Sequence, residues 1–557
     1  MPSTDPYDAI IIGSGATGGW VAKTLSEAGM RTLVLEAGPR VSDADFSEHV
    51  QPYDLKYRGR SPEIARNRPI QAMKYATRES NYHWFVDDIR NPYTTPEGRP
   101  FQWTRGRQLG GRTLTWGRLS WRLADFDFKP RSYDGYGVDW PLSYDDLAPY
   151  YDRVERYVGV SGEALGLRQI PDGNLLPPME MTCGENYFRK TIESKVGRPV
   201  TIGRTAILTK AHNGRAACHY CGPCEQGCVT HSYFSSLWTT LVDAVNSGNC
   251  TIQTGAVASH ITTDPDTGRA NGVAYVDSHD RAVREVRGNV VVLCASTLES
   301  NRLLLNSGPD FCNSSGVLGR YIMDHIAGSA MGDIGQREPA KWSGPPRRPN
   351  GLYLPRVKNL DRPHTNGVIR GYGMQGGHGS SYSSSAAIAQ VPGFGKGFKQ
   401  AVLDRDDCWS FRISAYAECL PRYENRVTLD PEVRDAWGIP AVHLDAQWGD
   451  NELQLYKMML DEAEELLHVA GAKKVIRQAV PRWPGGATHE VGGARMGEDP
   501  KQSVVNQFGQ AHDVKNVFVT DGAVFPSVAC QNPTLTMMSL ALRNSEYILD
   551  QAKTGNL

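Results

Sequence analysis

Three stretches of this chain set reactive or ligand-binding residues at spacings that chemistry can use. Near the start, Tyr7-Asp-Ala-Ile-Ile-Ile12 runs into Gly13-Ser-Gly15-Ala-Thr-Gly18, and Glu36 follows 23 residues after Gly13. In the middle, Cys218-His-Tyr-Cys221-Gly-Pro-Cys224-Glu-Gln-Gly-Cys228 is a C-x2-C-x2-C-x3-C run. Near the end, Gln531-Asn532-Pro533-Thr534 opens an apolar-periodic stretch. The first pattern suits a pyrophosphate held on backbone N–H groups, the second ligation or redox chemistry, and the third a helix N-terminus whose partial positive charge favours an anion.

Each stretch needs elements to position it. Tyr7 to Ile12 reads as a buried strand, Trp20, Val21, Leu25 and Ala28 as a helix face, Gly29 as the end of that helix and Arg31 to Leu35 as a second strand closed by Glu36. In such a unit Gly13 permits the tight turn, Gly15 lets the backbone reach the pyrophosphate, Gly18 lets helix and strand pack, and Glu36 accepts from a ribose hydroxyl. The loop does not by itself separate FAD from NAD. A second glycine segment, Arg105-Gly-Arg-Gln-Leu-Gly110-Gly111-Arg-Thr-Leu-Thr115-Trp116-Gly117, reads either as a surface turn or as backbone laid against a flat cofactor.

The four cysteines are too crowded for core packing alone, and Gly222, Pro223 and Gly227 make their segment a loop. Structural zinc usually draws two cysteine pairs from separate turns, whereas this spacing is that of iron–sulfur loops. Zinc and reduced or disulfide-paired thiols stay as alternatives. In two-cluster ferredoxins the fourth cysteine of such a run serves another cluster, so three of these could hold three irons with Cys221 spare. Val229 stands where ferredoxins carry proline.

With 557 residues, 40% hydrophobic and 22% charged, the chain has the length of about three to four domain equivalents and the composition of a globular protein. Disorder and collagen are excluded. Sixty basic against 61 acidic side chains leave no field to hold a polyanion, so nucleic acid is not an expected partner. No apolar run approaches the roughly 20 residues of a membrane span, and the conspicuous one, residues 290–295, has strand length. Strand-like residues begin by Tyr7 with no leader pattern before them, which reads as a cytoplasmic chain unless a partner subunit carries an export signal.

The stretch Gly13 to Glu36, the segment Gly110 to Gly117, Ala295-Ser-Thr-Leu-Glu-Ser-Asn-Arg-Leu-Leu-Leu-Asn-Ser-Gly308 and the C-terminal blocks Thr488 to Gly497 and Asn516 to Arg543 together resemble the glucose-methanol-choline (GMC) oxidoreductases, FAD enzymes that oxidise alcohols. The resemblance implies an α/β (α+β) fold with a Rossmann-like FAD-binding domain from residues 1–45, 100–123, 202–330 and 485–557. The remainder, 46–99, 124–201 and 331–484, would form cover loops and a substrate domain on a large mixed or antiparallel sheet. It implies that His489, six residues before Arg495, is the base that takes the hydroxyl proton, and that Asn532 is the second member of the family's His plus His-or-Asn pair. Asparagine cannot be a base, so proton removal falls to His489, while His325 and His512 read as structural. Asp521 and Gly522 would close over the flavin, and Val257, Thr115, Pro533 and Thr534 complete the expected cofactor contacts with Gly13, Gly15, Gly18, Glu36, Gly110 and Gly111. Asn532 is expected both to cap the helix that starts at Pro533 and to bind the substrate oxygen, with the helix N-terminus stabilising the charge of the reduced cofactor. Where some sugar oxidases of the family attach FAD through a histidine, this chain has Thr115, and no histidine lies between Phe101 and Arg122, which implies non-covalent FAD.

A subgroup with a cysteine cluster at about this place, the FAD glucose dehydrogenases and glucoside 3-dehydrogenases, is similar enough to imply a three-iron cluster held by three or all four of Cys218, Cys221, Cys224 and Cys228. Electrons would then leave singly, to a c-type cytochrome with a small helper subunit rather than to oxygen. The expected substrate is a sugar or glycoside oxidised at a secondary hydroxyl, C3 of a pyranoside. A sterol, polyol or choline, or a flavoprotein electron carrier with a zinc loop, are the competing readings. Residues 43–98 and 124–201 should cover the flavin, with a loop and capped helix from Trp140 to Tyr151. Residues 411–429 read as a hairpin of the substrate domain, and the glycine- and serine-rich stretch 371–385 as a flexible loop, at the active site or in solvent.

Overall fold

The computed structural model describes residues 6–59, 61–334, 350–361, 364–365, 367–379, 391, 393–406 and 409–557. The local signals at the start become a parallel β-α-β unit. Strand Tyr7–Ile12 pairs in parallel with Thr32–Glu36 on one side and Val283–Leu293 on the other, and the helix Ala16–Glu27 connects the first two. Near-continuous runs such as Ile10-Ile11-Ile12 and Val290 to Leu293 suit strands buried on both faces, and all of these side chains are buried. The full seven-stranded sheet runs Cys250–Thr254, Thr32–Glu36, Tyr7–Ile12, Val283–Leu293, Ala270–Asp277, Ala256–Thr263, with Val517–Val519 also pairing in parallel with Val283–Leu293. Ala16–Glu27 packs against the long C-terminal helix Thr534–Lys553. Residues from both ends of the chain thereby share one apolar core.

A second core lies under a six-stranded antiparallel sheet ordered Val475–Arg477, Ile326–Ile334, Trp409–Ala417, Tyr372–Gly379, Leu352–Leu354, Thr201–Ile202. The helix Asp450–Val469 covers one face of it through Leu455, Met459, Leu460, Ala463 and Leu466, a spacing that keeps one helix stripe apolar. A four-stranded antiparallel sheet, Pro440–Asp445, Arg426–Arg434, Arg320–Met323, Val491–Gly493, adds Met323 and Val491 to the first core and builds a smaller cluster of its own from Ile322, Val427, Val442 and Leu444. The mixed α/β architecture with a separate antiparallel sheet matches the expected fold class.

Several local expectations change in tertiary context. Residues 411–429 do not form a hairpin: Trp409–Ala417 pairs with Ile326–Ile334 and Tyr372–Gly379, whereas Arg426–Arg434 pairs with Pro440–Asp445 in the other sheet. Between them the chain is pinned by buried Glu418, whose Oε1 accepts from Arg356 Nη1 at 2.6 Å and from the Gly371 N–H at 3.1 Å, so the two strands diverge. The first half of 371–385 is not a loop but the strand Tyr372–Gly379, and residues 380–385 lie outside the described residues. The capped helix holds: Tyr144–Val158 starts at Ser143, whose side chain and backbone exchange a capping box with Asp146.

Candidate active site

A cavity of about 510 Å³ runs from the first glycine loop to His489 and Asn532. At one end the loop fits a dinucleotide by exclusion of side chains. Gly13 has φ +101°, and a Cβ there would stand 2.5 Å from the Cys294 carbonyl oxygen. A Cβ on Gly18 would stand 1.9 Å from the Gly13 carbonyl oxygen, so helix and turn can meet only at glycine. Gly15 has nothing within 4 Å of the missing Cβ because it faces the cavity, where a side chain would occupy the space a ligand needs. No side chain caps the helix Ala16–Glu27, which leaves its first N–H groups available to phosphate oxygens.

The second glycine segment closes on the first. The Gly110 N–H donates to Ser14 Oγ at 2.9 Å, and a Cβ on Gly111 would lie 3.2 Å from the Gly15 Cα. Gly111 lines the cavity, which suits backbone laid close to a flat ligand rather than a surface turn, whereas Gly110 is not part of the cavity wall and a Cβ there would stand 3.0 Å from the Leu237 side chain. Glu36 lines the cavity while its carboxylate accepts from the Ser14 hydroxyl, from the Ser14 N–H at 3.2 Å and from the Gly38 N–H at 2.8 Å, so it organises the loop from below. Burial raises its pKa against those bonds. Val257, Thr115, Asp521, Gly522, Pro533 and Thr534 all line the same cavity. Asp521 is buried, pushed up to about 6 by that burial, and accepts from Ser300 Oγ at 2.5 Å and the Ala523 N–H at 3.0 Å. Of the expected cover segments, Lys74, Tyr75, Ala76, Phe85 and Val86 reach the cavity, but no residue of 124–201 does. That stretch packs instead behind the C-terminal helix, where Tyr151 Oη and Thr536 Oγ1 share a hydrogen bond of 2.7 Å.

At the other end, Asn532 Nδ2 donates to His489 Nε2 at 3.0 Å, joining the two residues on which the sequence reading centred. The expected cap is absent. The helix starts at Thr534 with Pro533 at the N-cap position, and the Asn532 carboxamide turns away from the helix: its Oδ1 accepts from Gln375 Nε2 at 3.0 Å while its Nδ2 faces His489. The helix N-terminus still opens on the cavity through Pro533 and Thr534.

His325, which the sequence offered only as structural, lies beneath His489 with Nδ1 to Nδ1 at 3.0 Å, and its Nε2 is 2.5 Å from the Ala529 carbonyl oxygen. A carbonyl only accepts, so His325 carries its proton on Nε2 and, when neutral, offers a lone pair at Nδ1. His489 must then donate from Nδ1, which leaves a lone pair on Nε2, where Asn532 donates. Gln375, Asn532, His489, His325 and Ala529 form one directional chain, and the tautomer it selects points the basic nitrogen of His489 at the cavity. Burial holds His325 down to about 4, and burial with the neighbouring His325, Lys74, Arg112 and Arg482 holds His489 well below its ordinary value, so both rings are neutral near pH 7. Asp324 fixes the backbone under the ring, its Oδ1 accepting from the His489 N–H at 2.9 Å and its Oδ2 from the Ala487 N–H at 3.1 Å. Nothing in the residue spacing marks His325; only its place at the start of the strand Ile326–Ile334 brings it here. His512 does stay structural, bonded to Ser503 Oγ at 2.9 Å.

The cysteine loop abuts the cavity wall. Arg118 lines the cavity, sets its guanidinium over the Tyr233 ring at 5.2 Å and donates from Nη1 to the Cys224 carbonyl oxygen at 3.4 Å. None of the four is in a disulfide. Cys218 Sγ accepts from the Tyr220 N–H at 3.4 Å, and Cys228 Sγ from the Ser232 N–H at 3.3 Å. Burial pushes the Cys224 thiol up to about 12 and raises Cys218 and Cys221, so a cation is what would hold these sulfurs as thiolates. A tetrahedral zinc site at about 2.3 Å per bond places its sulfurs roughly 3.8 Å apart. Among the described residues the close trio of metal-capable groups, with ligand atoms within 4.8 Å of one another, is Asp324, His325 and His489, not any three of these cysteines.

Two sequence-family models, both described as GMC oxidoreductase, match residues 7–327 and 421–541. The chain is similar to the 2-methyl-1,2-propanediol dehydrogenase of Mycolicibacterium austroafricanum, 29% identical over 98% of this chain and 96% of that one. It is 27% identical to the fructose dehydrogenase large subunit of Gluconobacter japonicus over 98% of each. A solved pyridoxine 4-oxidase shares the fold at TM-score 0.62 and 18% identity, covering 97% of this chain and 99% of that one.

Proposed function

The chain belongs to the GMC oxidoreductases, FAD-dependent enzymes acting on CH–OH donors, and from that premise we propose that it is a dehydrogenase of a secondary hydroxyl on a sugar or glycoside, C3 of a pyranoside. The observation that carries the oxidation is the contact of His489 Nε2 with Asn532 Nδ2 at the cavity end opposite the dinucleotide loop. The glycine cradle and the unpaired helix N-terminus fit FAD, which when bound supplies the hydride acceptor. Gly13 to Ala16 and Gly111 would face its pyrophosphate and Glu36 its ribose, with Thr115, Val257, Asp521, Gly522, Pro533 and Thr534 along its length.

The substrate hydroxyl enters between the carboxamide and the imidazole. Its oxygen accepts from Asn532 Nδ2, and its proton passes to the lone pair on His489 Nε2. Gln375 keeps the carboxamide from flipping, and His325 accepts the Nδ1 proton that fixes the tautomer and shares the positive charge once Nε2 is protonated. The N–H groups at the start of Thr534–Lys553 favour negative charge at that place. With no histidine near Thr115, FAD is held without a covalent bond. Acid precipitation of the holoprotein is expected to leave the yellow colour in the supernatant, and colour in the pellet would refute this.

Electrons leaving through an iron–sulfur cluster, probed by iron and sulfide content per chain, is part of the same proposal. Three of Cys218, Cys221, Cys224 and Cys228 would hold a three-iron cluster, with Cys221 the spare thiol, a c-type cytochrome as acceptor and a helper subunit that could bring an export signal. The backbone N–H bonds to sulfur, the thiols' failure to gather at single-ion distance and the loop's position behind Arg118 support this over zinc. Cys224→Ser should keep flavin bleaching by sugar at its wild-type rate and lower iron content and dye reduction together. Equal dye reduction with iron unchanged counts against the cluster. Kinship to a 2-methyl-1,2-propanediol dehydrogenase favours a second reading, a small non-sugar alcohol as donor. Anaerobic bleaching by a panel of sugars, polyols, sterols and choline separates the two.

A further inference from the structure

The cavity end around His489 carries charge that removal of a hydride from a neutral alcohol does not require. Lys74 Nζ donates to the Gly486 carbonyl oxygen at 3.3 Å and to Thr488 Oγ1 at 3.0 Å, and Arg482 Nη1 donates to the same Gly486 oxygen at 3.4 Å. Two cations thus share one carbonyl on the segment that bears the base. Arg412 stands on the strand Trp409–Ala417, on the face that also presents Ser414 and Tyr416, and its Nη2 donates to Ser329 Oγ at 2.9 Å. Ser329 is the register partner of Ser414. The Arg412 guanidinium therefore leans back to that level, about 7 Å of strand from Tyr416, whose ring lies 5.9 Å from the His489 ring. That leaves the width of one pyranose. All three cations line the cavity.

Many of the chain's buried cations are paired with carboxylates, although Arg215, Arg495 and Arg543 bond backbone carbonyls instead. Arg122 meets Glu155 and Asp152, Arg356 meets Glu418, and Arg370 meets Asp134. Here Glu490 and Asp324 act on Lys74 only through space: Glu490 bonds Arg112 through Oε2 at 3.1 Å and Asp324 bonds the backbone N–H groups of Ala487 and His489. Among the described residues Lys74, Arg412 and Arg482 have only neutral hydrogen-bond acceptors. Lys74 and Arg482 are half-buried and Arg412 is exposed, and gathering three like charges on one cavity wall with no anion between them is unfavourable. We propose that this end of the cavity is an anion subsite and that the sugar oxidised carries an acidic group, carboxylate or phosphate, seated among Lys74, Arg412 and Arg482. This rests on the sugar reading of the cavity and narrows it to sugar acids or sugar phosphates.

The test uses FAD-loaded, full-length protein under anaerobic conditions, with flavin bleaching as readout. Methyl glucopyranoside is compared with its 6-carboxylate and with its 6-phosphate, which separates the two anion sources. An acidic member should be favoured by roughly tenfold or more in kcat/KM, and Arg482→Gln or Arg412→Gln should shrink that acid-to-neutral ratio by roughly tenfold, with Arg482→Lys recovering part of it. Burial and the neighbouring Arg482 lower the Lys74 ammonium to about 8, so KM for the acidic sugar should climb above that pH as the cation is lost, while KM for the neutral sugar should not. A wild-type ratio near one, or a ratio indifferent to both glutamine variants, overturns the subsite; the latter is the pattern if the cations serve the cofactor's charge. Bleaching by neutral sugars alone keeps the sugar reading and removes the subsite. Bleaching by glycerate but by no sugar, with the same arginine dependence, keeps the subsite and removes the sugar.

Discussion

His489→Ala lowers the anaerobic rate of flavin bleaching by about 10²–10⁴-fold, the range that positioned proton transfer supplies, while the protein stays yellow. The ring bonds His325 and Asn532 and no residue of the dinucleotide loop, so its removal should leave cofactor binding intact. The sign of the pH dependence follows from the same environment. The base works only when neutral, and burial with the surrounding cations lowers its pKa from the ordinary value near 6.5. Bleaching in the wild-type protein should therefore be flat through neutral pH and fall only in acid. Stopped-flow absorbance across pH measures both. A wild-type rate in the alanine variant, or an inflection above pH 7 in the native protein, contradicts the assignment.

His325→Phe is expected to lower the same rate by roughly 10²-fold, although no substrate atom need touch His325. Without an acceptor at its Nδ1, His489 is free to place its proton on Nε2, where it can no longer take one from the alcohol. A merely space-filling role would predict a loss of stability and nothing else. Two further readings separate these. His325→Gln, whose amide oxygen can accept the same hydrogen bond, should recover part of the rate, and in His325→Phe the acid inflection should move, because His325 itself depresses the pKa of His489. If the glutamine and phenylalanine variants bleach equally and the inflection stays in place, His325 does not position the base.

The parts of this molecule readable along the chain are those whose partners are near in sequence. The turn from Ile12 through Gly18, the Ser143–Asp146 cap and the crowding of four thiols each rest on contacts within a few residues. The double role expected of Asn532 shows where local reading stops. Asparagine before proline is a sound helix start, and the helix does begin there, but the carboxamide had a choice between a local N–H and distant groups. Gln375 and His489 won it. The expected hairpin at 411–429 fails similarly, because alternation specifies strands and not which sheet receives them.

By itself the sequence determined a nucleotide-binding β-α-β unit, a cysteine loop and a resemblance strong enough to single out His489 and Asn532. Only the tertiary structure decided which nitrogen of His489 is basic. That choice depends on a hydrogen-bond chain whose links join residues 157, 43, 164 and 204 positions apart, from Gln375 to Asn532, to His489, to His325 and to the Ala529 carbonyl. Hydrogen bonding is directional and short-ranged, so such a chain exists only once two sheets and the start of the C-terminal helix have been packed against one another. No periodicity along the chain encodes it.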